Sequence, residues 1–377
     1  MVAFVLPPEL TGSEGEEDDE ELRRLFFVAM TRAERKLVIS YAESNNNDKA
    51  QAKSRFVAEL EQSGSVSVTS FQLENDELAQ AMSLIFNATE KDMESVFTSD
   101  FVTELLADYR LSLSHLNQFL ECPKSFFYSS ILRIPTPNSS AAAFGTAAHD
   151  SLEFLFRSMK ESLGEAFPSK KSFLDFFSRQ IHKQQDAFTE VEFKRRMESG
   201  IISMGKLYDE NIDRWHRDVV IEQPFEAVIN GDIRLNGRVD KLEILHGTLV
   251  NLVDYKTGKF DKKKFQQPNP VKVALAESEG KEPKHDDLYG GSYWRQAVFY
   301  KLLVESCPSP SYAVSSAEFC FVEPDATTGK LVNQSVEIEQ EHVYFLQELI
   351  DKTYRSIKNR EFNQGCGKSY CQWCDNK

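Results

Sequence analysis

One stretch of the sequence, LVNLVDYKTGK at 249–259, restricts the fold more than any other. An apolar, β-branched run reads as a strand, and the Thr-Gly after it reads as the turn that ends it. The run closes on Asp-Tyr-Lys. Residues i and i+2 of a strand share a face, so Asp254 and Lys256 leave the strand end on one side. A strand that only closes a core has no need of two opposite charges there.

The surrounding patterns supply the rest of the architecture. LSLSHLNQFLECPKSFFYSSILRI, from 111, is an amphipathic helix begun by Ser112 or Ser114 and ending in an aromatic cluster. AFGTAAHDSLEFLFRSMKESL is a second helix, and 172–217 reads as one or two more. Two strand patterns then flank a His246-Gly247 turn. A lysine-rich loop, the helix SYWRQAVFYKLLVES, the strand AEFCFVEP, a strand near 332–338 and a last helix over about 340–360 follow. Helices, strands, helix, strand and helix in that order predict an α/β fold, a mixed sheet with helices on its faces.

The strand before the opening stretch, in GRVDKLEIL, carries Asp240. A two-residue His246-Gly247 loop would pair Asp240 with Val253 and put the two aspartates on opposite faces. A three-residue loop, Leu245 to Gly247 with a left-handed glycine, makes them diagonal neighbours on one face. Two carboxylates and a lysine within a few ångströms suit phosphodiester hydrolysis. The carboxylates hold Mg²⁺ or Mn²⁺, hard cations that take oxygen ligands, and the lysine positions water or neutralises growing charge. That chemistry requires an odd-numbered loop or a bulge. The other reading of these residues is a strand-end ion pair beside a surface aspartate.

GRVD, followed 14 residues after its Asp by DYKTG, resembles the PD-(D/E)XK nuclease superfamily, and most closely its RecB/AddB-type branch. The resemblance spans about 111–377 and implies a restriction-endonuclease-like mixed sheet flanked by helices. It implies that Asp240, Asp254, His149 of AFGTAAHDSLE and the backbone carbonyl of Tyr255 bind the metal, with Lys256 at the reacting centre. Glu153, one turn beyond His149, is a candidate further contact, and Gly145 would let that helix approach the sheet closely. RQAVFY fits the Q-x-x-x-Y motif of the same branch, placing Gln296 and Tyr300 on one helix face to position DNA or support the site.

Six cysteines are present. Cys307 and Cys320 lie in apolar surroundings and read as small buried hydrophobes. GCGKSYCQWC gives Cys366, Cys371 and Cys374 a C-x₄-C-x₂-C spacing, and three thiolates do not fill a four-coordinate site. In the AddB-like members resembled here one cysteine precedes the nuclease core and three follow it, binding an iron–sulfur cluster; Cys122 of ECPKSFF occupies the first position. The spacing departs from the C-x₂-C-x₅-C of that group and equals that of plant-type ferredoxins. Zinc also accepts four cysteines. Either would close a long loop between Cys122 and the C-terminal cysteines.

The net charge of −15 at first argues against nucleic acid, but SEGEEDDEE at 13–21 is one solvated acidic run. Lysine and arginine gather in FKRRM (Lys194, Arg195, Arg196) and GKFDKKKF (Lys259, Lys262, Lys263, Lys264). Phosphate binding depends on the contact surface rather than on the total charge, so these are the candidate DNA contacts. Each basic run also reads simply as an exposed helix face or loop.

LRRLFFVAMTRAERKLVISYAE at 22–43 resembles the last motif of UvrD-type DNA helicases, in which VAMTRA supplies an arginine to the ATP γ-phosphate. By position that is Arg32. The plainer reading is an amphipathic helix packing Leu25, Phe26 and Val28 to Met30. No glycine-rich phosphate loop is present, and the GKS at 367–369 lies inside the cysteine cluster, so neither tight ATP binding nor unaided unwinding is expected. The expected organisation is a helicase remnant over 1–46, a helical connector over 47–110 and a nuclease domain over 111–377.

The combined expectation is a Mg²⁺-dependent deoxyribonuclease, an exonuclease by preference, fed single strands or duplex ends by a helicase motor in the same parent chain or a partner subunit. Double-strand-break processing is the expected setting. The alternative is a DNA-binding or scaffolding module that keeps the fold without the rate. No apolar run approaches the roughly 18 residues a membrane helix needs, and a cytoplasmic, membrane-free location is expected.

Overall fold

The DYK run forms β3 (Leu249–Lys256), in the interior of a sheet. The computed structural model describes residues 53–64, 100–134, 139–368, 371, 373 and 374, with positions 23, 24, 26–28, 30, 31, 39 and 66. Within them β1 (Val219–Ile229), β2 (Ile233–His246), β3, β4 (Ala313–Phe321) and β5 (Asn333–Val336) hydrogen-bond in that order. The first three strands form an antiparallel meander, β4 runs parallel to β3, and β5 returns antiparallel. This is the mixed, helix-flanked sheet that the order of patterns predicts.

β1 is the element the sequence reading lacked, since it passed from helices to the strands at RLNG. Pro224 interrupts the β1 pattern. Proline donates nothing to a ladder and belongs at a sheet edge, where β1 lies.

The chain divides into two compact units, Met1–Asn87 and Ala88–Lys377. In the first unit, α1 (Arg55–Gln62) is capped by Ser54; Arg23 pairs with Glu59 and Phe26 stacks on Phe56 at 5.7 Å. Val28, expected to pack, is 44% exposed. Arg32 lies outside the described residues.

In the second unit the helices before the sheet are α2 (Asp100–Ala107), α3 (Leu113–Glu121), α4 (Pro123–Phe126, continued as a π-helical turn to Ile131), α5 (Ser140–Glu161), α6 (Lys170–Lys183) and α7 (Glu190–Asn211). The β3–β4 crossover carries a 3₁₀ turn (Lys262–Phe265), α8 (Pro270–Ser278), α9 (His285–Tyr289) and α10 (Ser292–Ser306); α11 (Gln340–Lys358) follows β5. Side-chain caps fix several of the starts: Ser112 accepts from the His115 amide on α3, and Thr189 with Glu192 forms a capping box on α7. Among the described residues no helix is long and apolar enough to cross a membrane.

Each sheet face has its own core. Val250 and Leu252 join Trp294 and Phe299 of α10, Leu346 and Ile350 of α11 and Leu116 of α3 in the larger one, which also takes in Val102 and Leu106 of α2. Val253 and Tyr255 join Phe144, Leu152 and Phe156 of α5, Phe173 and Phe177 of α6 and Met204 of α7 in the smaller. Burying each Leu, Val or Phe contributes about 1.5–3 kcal/mol, so β3, apolar toward both sides, anchors the whole unit.

The smaller core also holds a charge pair. The Lys241 ammonium lies 2.7 Å from Glu243 and over the Phe156 and Tyr255 rings, and Asn251 donates to Glu243 at 3.1 Å. Burial opposes ionisation of Glu243, but Lys241 outweighs it and holds the carboxyl below its usual range. Lys241→Ala is expected to cost about 3–5 kcal/mol in urea unfolding, because it strands a buried carboxylate. A folded-state pKa below the unfolded one stabilises above the ordinary glutamate range. That contribution is lost as pH falls through the lowered value, so acid should narrow the gap between wild type and Lys241→Ala.

Candidate active site

β2 and β3 meet in register from Ile244↔Val250 to Lys241↔Val253, with Leu245 bulged out and the turn on Gly247-Thr248 at a Gly247 φ of +57°. The sequence reading put the turn one residue earlier, on His246-Gly247. The bulge it required is present, and it makes Asp240 level with Asp254 instead of diagonal to it. The ladder ends at Lys241↔Val253. Beyond it the Tyr255 amide donates to the Asp240 carboxylate at 2.9 Å, so a side chain takes the place of a backbone acceptor.

Asp254 is buried and sits in a closed triangle. Lys256 Nζ lies 2.7 Å from Asp254 Oδ2 and donates to Gln296 Oε1 at 2.8 Å, while Gln296 Nε2 donates to Asp254 Oδ1 at 2.6 Å. Lys256 also lies over the rings of Tyr293 and Phe319 at 4.9 and 5.6 Å, which fixes its stem. α10 delivers Gln296 because nearly all its faces are buried. Tyr300, one turn on, is half-buried, and burial and then Asp254 raise its hydroxyl pKa.

On the other side of Asp240, α5 brings in His149, its Nδ1 3.3 Å from Asp240 Oδ2. Gly145, one turn earlier, faces the loop after β3; a Cβ there would meet Thr257 Oγ1 at 3.3 Å. Glu153 pairs with Arg157 and lines the same open cavity of about 410 Å³ as His149 and Asp240. The cavity has a lining residue that the sequence reading passed over, Glu222 of β1, with Arg238 3.8 Å away. The available signal was Pro224, two residues on, which marks an irregular edge strand.

Crowded acids shift one another. Burial and then Asp240 push the Asp254 carboxyl up to about 6 despite Lys256, and the same two causes push Glu222 up to about 7. Burial works against a charged His149, yet Asp240 outweighs it and lifts the imidazole to about 9. These groups fit a divalent cation. One donor atom each from His149, Glu222 and Asp240 lies within 4.8 Å of the others, and the buried Asp254 Oδ2, though ion-paired, accepts no hydrogen bond.

The basic candidates spread over two elements. Lys259, Lys262 and Lys263 are exposed just past β3, while Lys264 lies over Tyr293 at 4.8 Å. On α7, Arg195 is exposed, Lys194 pairs with Glu190, and half-buried Arg196 reaches Glu323 at 3.5 Å and covers the Phe144 ring.

Far along the chain, Cys122, Cys366, Cys371 and Cys374 converge, with Sγ separations of 3.5 Å (122–374), 3.8 Å (366–374) and 4.0 Å (371–122). Metal–sulfur bonds of about 2.3 Å in a tetrahedron need sulfurs about 3.8 Å apart, so the cage fits a single ion. Trp373 stacks on Tyr128 at 4.5 Å beside it. Cys307 is buried as expected, and Cys320 packs against the smaller core.

A family model described as the PD-(D/E)XK nuclease superfamily matches residues 110–377. Among solved structures, a protein of Eubacterium rectale described as a "putative exonuclease" matches with a TM-score of 0.42 and 11% identity, over 81% of this chain and 93% of that one. A protein called SSO0001 matches with a TM-score of 0.28 and 9% identity, over 70% and 87%. No curated protein sequence matches the chain.

Proposed function

The chain belongs to the PD-(D/E)XK nuclease superfamily, and on that footing we propose that it is a Mg²⁺- or Mn²⁺-dependent deoxyribonuclease that trims DNA ends. The observation that carries this reading is the Asp254–Lys256–Gln296 triangle set against Asp240 and His149 at the point where β2 and β3 part. A structural ion pair needs no such second acidic group beside it.

Asp240 and Asp254 would hold the cation with His149 and the Tyr255 carbonyl. A bound divalent ion supplies Lewis acidity toward the phosphodiester and its attacking water. The protein's own groups do the remainder. Lys256, held on its aromatic shelf, neutralises charge growing on the phosphate, and Gln296 fixes both Asp254 and Lys256 in orientation. Lys259, Lys262 and Lys263, with Arg195, would grip backbone phosphates without reading sequence.

The wider setting follows from the sequence resemblances. The motif at 22–43 and the RecB/AddB-like patterns support a role beside a helicase motor, in the same parent chain or a partner subunit, during double-strand-break repair. The cysteine cage would hold zinc or an iron–sulfur cluster as a structural clasp.

Incubating the purified chain with Mg²⁺ and end-labelled single- and double-stranded DNA tests the activity. Shortening from an end that stops with EDTA is the expected result. Cleavage that persists in Asp254→Ala would sink the assignment.

A further inference from the structure

Glu222 stands where two strands change faces together. On β1, Val219 and Ile221 pack in the smaller core, but Phe225, Ala227 and Ile229 pack in the larger, although all are odd-numbered. On β2, Ile233, Leu235 and Val239 belong to the larger core, whereas Lys241 points its ammonium over Phe156 and Tyr255 of the smaller. A regular strand keeps alternate residues on one face, so both strands must break between these positions.

The break falls on one pair. The β1–β2 ladder runs Ile221↔Lys241 and then Gln223↔Val239, omitting Glu222 and Asp240 between them. Glu222 has a φ of +47°, in the left-handed region that a residue with a Cβ enters only when its surroundings hold it there. Irregularities of this kind re-aim side chains next to active sites. Here the result is that Glu222 and Asp240 both face His149, with the three donor atoms within 4.8 Å of one another. The Glu222 side chain is only 14% exposed, and the guanidinium beside it, Arg238, is itself 62% exposed.

Asp254 lies outside that trio, and in the cation-free chain Gln296 and Lys256 contact its two oxygens. A cation held between Asp240 and Asp254 also meets the Glu222 carboxylate and the His149 imidazole on the α5 side of the strand gap, a donor set suited to Mn²⁺ or Mg²⁺. We propose that Glu222 is a direct ligand of the divalent cation, delivered from β1 by the break it shares with Asp240. This rests on the nuclease reading and adds a carboxylate that the Asp-and-Asp-x-Lys pattern does not contain. In the cation-free chain the exposed Arg238 guanidinium lies only at the edge of salt-bridge distance from Glu222, and burial and Asp240 push the Glu222 carboxyl up to about 7.

Titrating the full chain with Mn²⁺ and following the free-ion signal by electron paramagnetic resonance tests it. Glu222→Gln is expected to weaken binding at least about tenfold. Glu222→Asp keeps the charge but withdraws it by one methylene, and should fall between the two. Thermal unfolding in EDTA, expected to stay within a few degrees of wild type, separates loss of a ligand from loss of the fold; should Glu222→Gln not fold, the Asp variant alone decides. Wild-type affinity in a folded variant that carries the substitution overturns the assignment of Glu222 while leaving a Mn²⁺-binding, DNA-cleaving wild type intact. A wild-type chain that binds no Mn²⁺ at millimolar concentration overturns both this and the nuclease reading.

Discussion

Lys256→Met is expected to lower Mg²⁺-dependent DNA cleavage by about 10²–10³-fold, the usual cost of removing one preorganised group that answers charge in a transition state. Asp254→Asn should abolish cleavage outright, and its effect on stability separates a catalytic site from a strand-end ion pair. The Asp254 carboxyl is pushed up to about 6 by burial and by Asp240. A folded pKa above the unfolded value means that the native state favours the protonated form, so this group's stability is full below the ordinary aspartate range and is lost as pH rises through about 6. At neutral pH in EDTA, Asp254→Asn should therefore melt at or above the wild-type temperature. An aspartate kept for an ion pair would give the opposite result. Added Mg²⁺ should raise the melting temperature of wild type and leave that of Asp254→Asn nearly unchanged. Measured in one thermal series, destabilisation by Asp254→Asn would count against the site, whatever the cleavage assay showed.

The residues of that test were legible because each depended on a short-range rule. Asp254 and Lys256 share a face through the period of a strand, and Gln296 and Tyr300 share one through the period of a helix. Even the need for a hairpin irregularity followed from asking two aspartates to meet. Legibility failed where position depends on a break in periodicity. Glu222 lies on an edge strand at a left-handed residue two before Pro224, where the alternation breaks, so no period assigns its side chain a direction. The same applies to the hairpin turn, which moved by one residue once Leu245 bulged. Arg196 reads as a free surface charge in FKRRM, yet its guanidinium covers Phe144 and reaches Glu323, because α7 packs on α5. His149 and Cys122 reached their partners through family resemblance, since nothing local to either residue says what lies across the fold.

Cys122→Ser tests the longest of those connections, and an expected loss of about 3 kcal/mol follows from opening a cross-link that closes a long loop. For a unit of this size that corresponds to a fall of about 6–12 °C in melting temperature. The cage ties the start of α4 to the segment after α11: Cys122 caps α4, its sulfur lies 3.5 Å from that of Cys374, and Trp373 stacks on Tyr128. A strong chelator should reproduce the fall in wild type and add nothing to Cys122→Ser, because the variant has already lost the clasp. An unchanged wild-type melt after chelation would show that the thiols hold no metal. The identity of the metal is read from the same preparation. Sulfurs 3.5–4.0 Å apart suit one zinc ion as they stand. A cluster of several irons needs a wider cage. A protein purified anaerobically with visible absorbance and bound iron would thus require Cys366, Cys371 and Cys374 to move outward from Cys122, weakening the Trp373–Tyr128 stack. Tryptophan fluorescence compared between the iron- and zinc-loaded forms would register that movement, and equal spectra would show that one cage geometry serves both.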